Sequence, residues 1–237
     1  MDPAPRSPNR LLANLSAGDF DLLRPHLRTI ELVHAMELVA AGDELVEAYF
    51  PHSGVISLVI RLTSGEATEI AMVGRDSMFG ASAALVGPTA LTTAMIQTPG
   101  ACSVLPIKWL KEAVAHSTTL GTILTRHEQA IFVQAQQSVG CIASHPSTAR
   151  LARWLLRARD TAGSDDLQFT QEFLGMMLGI KRNTVSSVAT ELQSKEMIRF
   201  SRGQIVITDV PGLKSLACEC YVTVRDELER LKRSPLR

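Results

Sequence analysis

A chain of 237 residues, 46% of them hydrophobic and 20% charged, holds enough apolar side chain for one large core or two modest ones. This composition excludes a disordered chain, and the equal totals of 24 basic and 24 acidic residues exclude a uniformly basic polyanion binder. The charge is nonetheless uneven: residues 1–144 carry nine Lys and Arg against thirteen Asp and Glu, and residues 145–237 carry fifteen against eleven. An acidic module joined to one that favours polyanions is the implied arrangement.

Residues 1–10, rich in Pro, Arg, Ser and Asn, read as a flexible lead-in without the apolar stretch of a secretory signal. Leu11–Leu15 and Asp19–Leu23 read as short helices. From Thr29 the period changes to that of strands: Thr29–Val33, Glu37–Ala40, Ala48–Pro51, Val55–Leu62, Ala67–Val73, Thr92–Gln97 and Ala101–Pro106. Turn signals such as Ser53-Gly54, Ser64-Gly65 and Pro99-Gly100 separate them. Short strands without long helices between them predict an antiparallel roll, sandwich or barrel over residues 1–117, closed by a helix at Trp109–Ala115.

Residues 118–144 predict one long helix. Leu120, Leu124, His127, Ile131, Gln134, Ser138 and Cys141 recur at spacings of four and three. That stripe suits either a two-stranded coiled coil or packing against the protein's own domain. The coiled coil is the adopted reading. Pro146 removes a donor and disfavours helix at His145, which places a hinge there. The unit from 145 to 237 opens with a helix at Thr148–Asp160, capped by Ser147.

Thr170–Leu192 is the most informative stretch. Thr170 is an N-cap residue, Leu174 and Leu178 share a face, and Gly179 supplies the positive φ of a sharp turn. Val185, Val188 and Leu192 then form the buried stripe of a second helix. The spacing predicts a helix-turn-helix. It leaves Lys181, Arg182, Asn183, Ser186 and Ser187 on the exposed end that a recognition helix offers to base edges. Met197–Phe200 and Gln204–Thr208, joined through Ser201-Arg202-Gly203, read as a hairpin, so the domain is a winged helix. Pro211–Leu231 reads as a C-terminal helix with a charged tail.

Other chemistries find little support. The four cysteines form no C-x-x-C pair; of two readings for Cys218 and Cys220, a metal or redox pair and plain thiols on a C-terminal helix, the second is adopted, so no metal site and no cofactor is expected. A β-barrel enzyme or small-molecule binder, with the winged helix used for protein contacts, is the alternative. It would need clustered His and carboxylate ligands, a nucleophile elbow or a phosphate loop, and none is present. The expectation is a non-enzymatic cytoplasmic protein without membrane contact, since no apolar run approaches the roughly twenty residues that span a bilayer.

A β-roll, a long helix, a Pro-marked hinge and a winged helix-turn-helix, in that order, resemble the Crp/Fnr family of bacterial transcription regulators. The resemblance runs from about Leu11 to Leu231. It rests most on Thr148-Ala149-Arg150-Leu151-Ala152, Thr170–Leu192, Ile205-Val206-Ile207-Thr208 and the roll turn Val73–Gly80. It implies an α+β fold with a cyclic-nucleotide-binding-like jelly roll, a homodimer, a near-palindromic double-stranded promoter site and contact with RNA polymerase. The family's guanine-reading Arg falls on Arg182, and Arg is bidentate to guanine. Asn183 and Ser187 stand where the family often has Glu and Arg, which implies an operator of the protein's own. Thr170, Gln171, Lys181, Arg199 and Arg202 are the candidate phosphate contacts.

The family's cyclic AMP site maps onto Gly80, Ala81, Thr92 and Thr93 in the roll and onto Ala135 and Gln136 on the long helix. Ala81 replaces the expected Glu, Leu91-Thr92-Thr93 replaces the expected Arg-Ser, and no Lys or Arg occurs from Asp76 through Ile107. A buried phosphate without a cation is unfavourable by several kcal/mol, so the effector is expected to be something other than cyclic AMP. The Fe–S branch of the family needs N-terminal cysteines, and the first cysteine here is Cys102.

Overall fold

The computed structural model describes the backbone of residues 7–233 and side chains through Arg230. Most of the expected lead-in (residues 1–6) and the charged tail lie outside the described residues. Two short helices, α1 (Arg10–Ala13) and α2 (Ala17–Leu23), precede the strands. The roll follows with β1 (Arg28–Leu32), β2 (Glu37–Val39), β3 (Glu47–Pro51), β4 (Val55–Arg61) and β5 (Ala67–Val73). A small helix the sequence did not announce, α3 (Ala81–Leu85), leads to β6 (Thr93–Thr98), β7 (Gly100–Pro106) and the closing helix α4 (Ile107–His116). All pairings are antiparallel, in a sheet of order β1-β7-β3 and a second of order β2-β6-β4-β5.

Strand β4 shows why the two modules sit together. Val55, Ile56, Ser57, Leu58 and Val59 are all buried. Ile56 and Leu58 point into the roll, while Val55 and Val59, with Met72 and Met95, join the core of the C-terminal module. A near-continuous apolar run, interrupted here only by Ser57, is the sequence mark of a strand covered on both faces. Gly74 follows β5, and a Cβ there would lie 2.4 Å from Thr161 Cγ2, so a larger residue would have to displace that side chain.

The long helix is α5 (Thr118–Ser144), capped by Ser117, whose hydroxyl accepts from Leu120 N–H. It ends before His145-Pro146, as expected. The expected dimer stripe, however, faces inward. Leu120 and Leu124 lie in the roll core, with Ile131 packed against it. His127 Nε2 accepts from Met78 N–H, Gln134 Oε1 accepts from Met72 N–H, and Ser138 donates to the Ile70 carbonyl. The residues Leu120, Leu124, His127, Ile131, Gln134 and Ser138 are therefore spent within the protomer and do not form a dimer seam. Each polar member of the stripe meets a backbone group of its own roll, which explains polar residues at seam-like positions.

Helix α6 (Ser147–Ala162) starts at Pro146 without a side-chain cap from Ser147 and ends at Gly163. Strand β8 (Asp166–Gln168) is a third strand of the wing that the sequence reading missed. Helices α7 (Gln171–Leu178) and α8 (Arg182–Ser194) form the helix-turn-helix, followed by β9 (Ile198–Ser201) and β10 (Gln204–Ile207). The expected single C-terminal helix is two: α9 (Val210–Leu216) and α10 (Cys220–Arg233), broken at Ala217–Glu219.

Candidate nucleic-acid interface

Local chemistry builds the helix-turn-helix as the spacing required. Thr170 Oγ1 accepts from Phe173 N–H at 3.1 Å and caps α7. Gly179 takes φ 59°, and a Cβ on Gly175 would lie 2.9 Å from the Ile180 carbonyl, so the turn folds tightly back on α7. Leu174, Met177, Leu178, Val185, Val188, Ala189 and Leu192 fill the space between the helices and α6.

The opposite side of α8 is open. Arg182, Asn183 and Ser187 are exposed, and Thr190 continues the same row. Lys181, also exposed, begins α8 without a side-chain cap, so the first N–H groups of the helix keep the partial positive charge that suits a phosphate. Ser186 is half-buried, and its hydroxyl receives a 3.4 Å hydrogen bond from Gln171 Nε2. Arg202 sits at the tip of the wing with φ 48°, and the neighbouring Gly203 lies against Thr170. Thr170, Gln171, Ser186 and Arg202 thus gather at one edge. Arg199 does not join them. It lies beside the last turn of α8, where Gln193 Oε1 accepts from Phe200 N–H, at the end far from Arg182.

The winged helix is fastened to its own roll. Trp154 donates to Glu69 Oε1 at 2.8 Å, Ser57 donates to Glu69 Oε2, and Thr68 donates to the Met177 carbonyl. Arg150, buried in α6, donates to the carbonyl of Leu178. Burial pushes the Glu69 carboxyl up to about 7, although the hydrogen bonds from Ser57 and Trp154 and the charges of Arg153 and Arg157 oppose the rise. Sequence reasoning passed over these residues. The available signals were a Glu inside an apolar strand and an Arg on the apolar side of a helix.

Residues 149–216 match the Crp-like helix-turn-helix domain. The Global nitrogen regulator of Nostoc is 23% identical over 175 residues, which cover 70% of this chain and 78% of that protein. A Crp/Fnr-family transcriptional regulator from Thermus thermophilus is 25% identical with a TM-score of 0.62, covering 80% of this chain and 98% of its own. FixK2 from Bradyrhizobium japonicum shares the fold at a TM-score of 0.70 and 17% identity, covering 81% of this chain and 98% of that one. The chain carries a Crp-like helix-turn-helix domain and resembles Crp/Fnr regulators along most of its length. It is a DNA-binding transcription regulator, and its relatives are regulators, not enzymes.

The residues expected to form the effector pocket sit in differing surroundings. Ala81 is fully buried, Thr93 Oγ1 accepts from Ala41 N–H, and Gln136 is exposed on the outer side of α5. A cavity of about 560 Å³ lies elsewhere, between α1, the turn after β5, α5, α6 and α10, and none of the six lines it. Its wall includes Arg10, Met72, Ser77, Gln134, Arg157 and Arg225. No helix among the described residues is long and apolar enough to cross a membrane.

Proposed function

We propose that the protein works as a homodimer that reads a two-fold promoter site, with Arg182, Asn183 and Ser187 at the base edges and Lys181, Thr170, Gln171 and Arg202 at phosphates. The observation that carries this reading is the open N-terminal end of α8, which presents a row of one Arg, one Asn and one Ser beside uncapped N–H groups. Arg182 selects guanine by a bidentate pair and Asn183 favours adenine. Ser186, held by Gln171, positions α7 against α8. Arg199 serves a phosphate only where DNA extends past the end of α8.

Dimerisation is proposed on the outer face of α5. Thr125, Gln129, Phe132, Gln136, Val139 and Ala143 are exposed and recur at spacings of four and three. Phe132 and Val139 are 63% and 66% exposed, an unusual state for large apolar side chains at seam positions. The effector is proposed to enter the 560 Å³ cavity, whose wall is shared by the roll, α5 and α6 and carries both arginines and the carboxylates Asp76, Asp160 and Glu229. Contact with RNA polymerase is proposed from the family alone.

Selection of bound sequences from a random DNA library, with and without cell extract, tests the reading. The expected product is a palindrome whose half-site contains guanine, and Arg182→Ala should cost about 1–3 kcal/mol and relax the choice at that base. Calorimetry with cyclic AMP should show no micromolar binding. An unselected pool, or affinity indifferent to salt, would discard the DNA-reading role.

A further inference from the structure

We infer that Cys141, His145, Cys218 and Cys220 form a binding site for a single zinc-type divalent ion at the junction of α5 and α10. Cys141 and His145 lie one turn apart at the end of the long helix. Cys218 lies in the break that separates α9 from α10, and Cys220 opens α10. Their four ligand atoms all lie within 4.8 Å of one another. Cys141 Sγ and Cys218 Sγ are 3.5 Å apart, and Cys220 Sγ is 3.6 Å from His145 Nδ1. A tetrahedral ion with Zn–S near 2.3 Å and Zn–N near 2.0 Å asks for ligand separations of about 3.5–3.8 Å. The set is therefore close to the required size around one ion. A four-iron cluster would hold its thiolates on the irons, outside the cube and further apart than this.

The donors and their surroundings point to zinc and to a structural role. Three soft sulfurs and one imidazole are a closed four-ligand set with no open position for a substrate. All three cysteines are buried, with Cys141 and Cys220 fully so. His145 Nε2 lies 3.2 Å from Glu219 Oε1, which places its ring proton on that side and leaves the Nδ1 lone pair facing the sulfurs. Gln137 Nε2 donates to Cys220 Sγ at 3.0 Å, a bond that suits a thiolate. Three thiolates on a divalent ion leave one negative charge, and Arg150 and Arg153 lie near enough to Cys141 to offset it. The ion would clasp the residue just before Pro146 to the first turn of α10, joining the hinge to the C-terminal helix across 75 residues of sequence.

Tag-free, full-length protein purified under reducing conditions should carry about one zinc per protomer by plasma mass spectrometry. Exchange with cobalt should give the visible bands of a tetrahedral thiolate site, and the charge-transfer intensity should fall in Cys220→Ser. His145→Ala, which removes a partly exposed side chain, should lower zinc occupancy while leaving circular dichroism unchanged. Alkylation of the native wild type gives a reading that does not depend on any variant folding: a chelator should accelerate modification of Cys141, Cys218 and Cys220 but not of buried Cys102. Reduced protein that takes up neither ion, metal uptake unchanged in both variants, or alkylation rates indifferent to the chelator would each overturn the site. A Cys141–Cys218 disulfide in protein that binds no ion after reduction would do the same.

Discussion

The two sides of α5 carry the same kind of pattern and do opposite things. On the inner side, Leu120 and Leu124 sit in the roll core while His127, Gln134 and Ser138 bond to backbone groups of the roll and its following turn. On the outer side, Thr125, Gln129, Phe132, Gln136 and Val139 follow the same spacing with no partner from the described chain covering Phe132 or Val139. A heptad spacing therefore identifies a helix with a face to bury, and leaves open which neighbour buries it. The polar residues distinguish the sides. Inside, each is matched to a particular N–H or carbonyl of the roll, whereas outside Thr125 bonds only within its own helix, to the Gly121 carbonyl.

Loading the outer side should give the largest effect. Phe132→Glu with Val139→Glu is expected to yield a folded monomer by light scattering. Its affinity for a two-fold DNA site should fall by about 100-fold or more, because the second half-site no longer binds as part of the same complex. A dimer that survives this pair would move the interface elsewhere. On the inner side, Leu124→Ala should cost about 2–5 kcal/mol in denaturant unfolding and leave self-association of the folded fraction intact. If it dissociated the dimer without loss of stability, the assignment of the two sides would be reversed.

The outer face of β4 and β5 meets α6, and there Glu69 makes stability depend on pH. Its carboxyl is raised from 4.5 to about 7, so the folded state binds the proton more tightly than the unfolded state. The contribution is fully present below about 4.5 and is lost as pH rises through about 7. By linkage the loss is on the order of 3 kcal/mol at most. Thermal unfolding of Glu69→Gln should lack this slope while keeping the Trp154 contact. The smallest effect is expected from Ser138→Ala. That change removes one hydrogen bond to the Ile70 carbonyl and should cost about 1 kcal/mol by chemical unfolding.

Much of the fold was legible because its signals are local. The strands β3 to β7 emerged within a residue or two of where apolar runs and Gly turns placed them. Thr170, Gly179 and the stripe Val185, Val188 and Leu192 behaved as their residue types require. The misses were elements too short or too dependent on a distant partner to show a period of their own. Strand β8 exists because β10 pairs with it, and the break before α10 coincides with Cys218 turning toward Cys141.

The sequence by itself determined the order of modules, the helix-turn-helix and which end of α8 would stand open, because caps, turns and helical periodicity act within about one or two turns of chain. Tertiary structure alone decided that the stripe of α5 faces its own roll, that Glu69 fastens α6 to β4 and β5, and that three cysteines and a histidine meet at one point. Each of these is a contact between residues far apart in sequence, where the choice of neighbour depends on how whole elements pack and no local propensity records it.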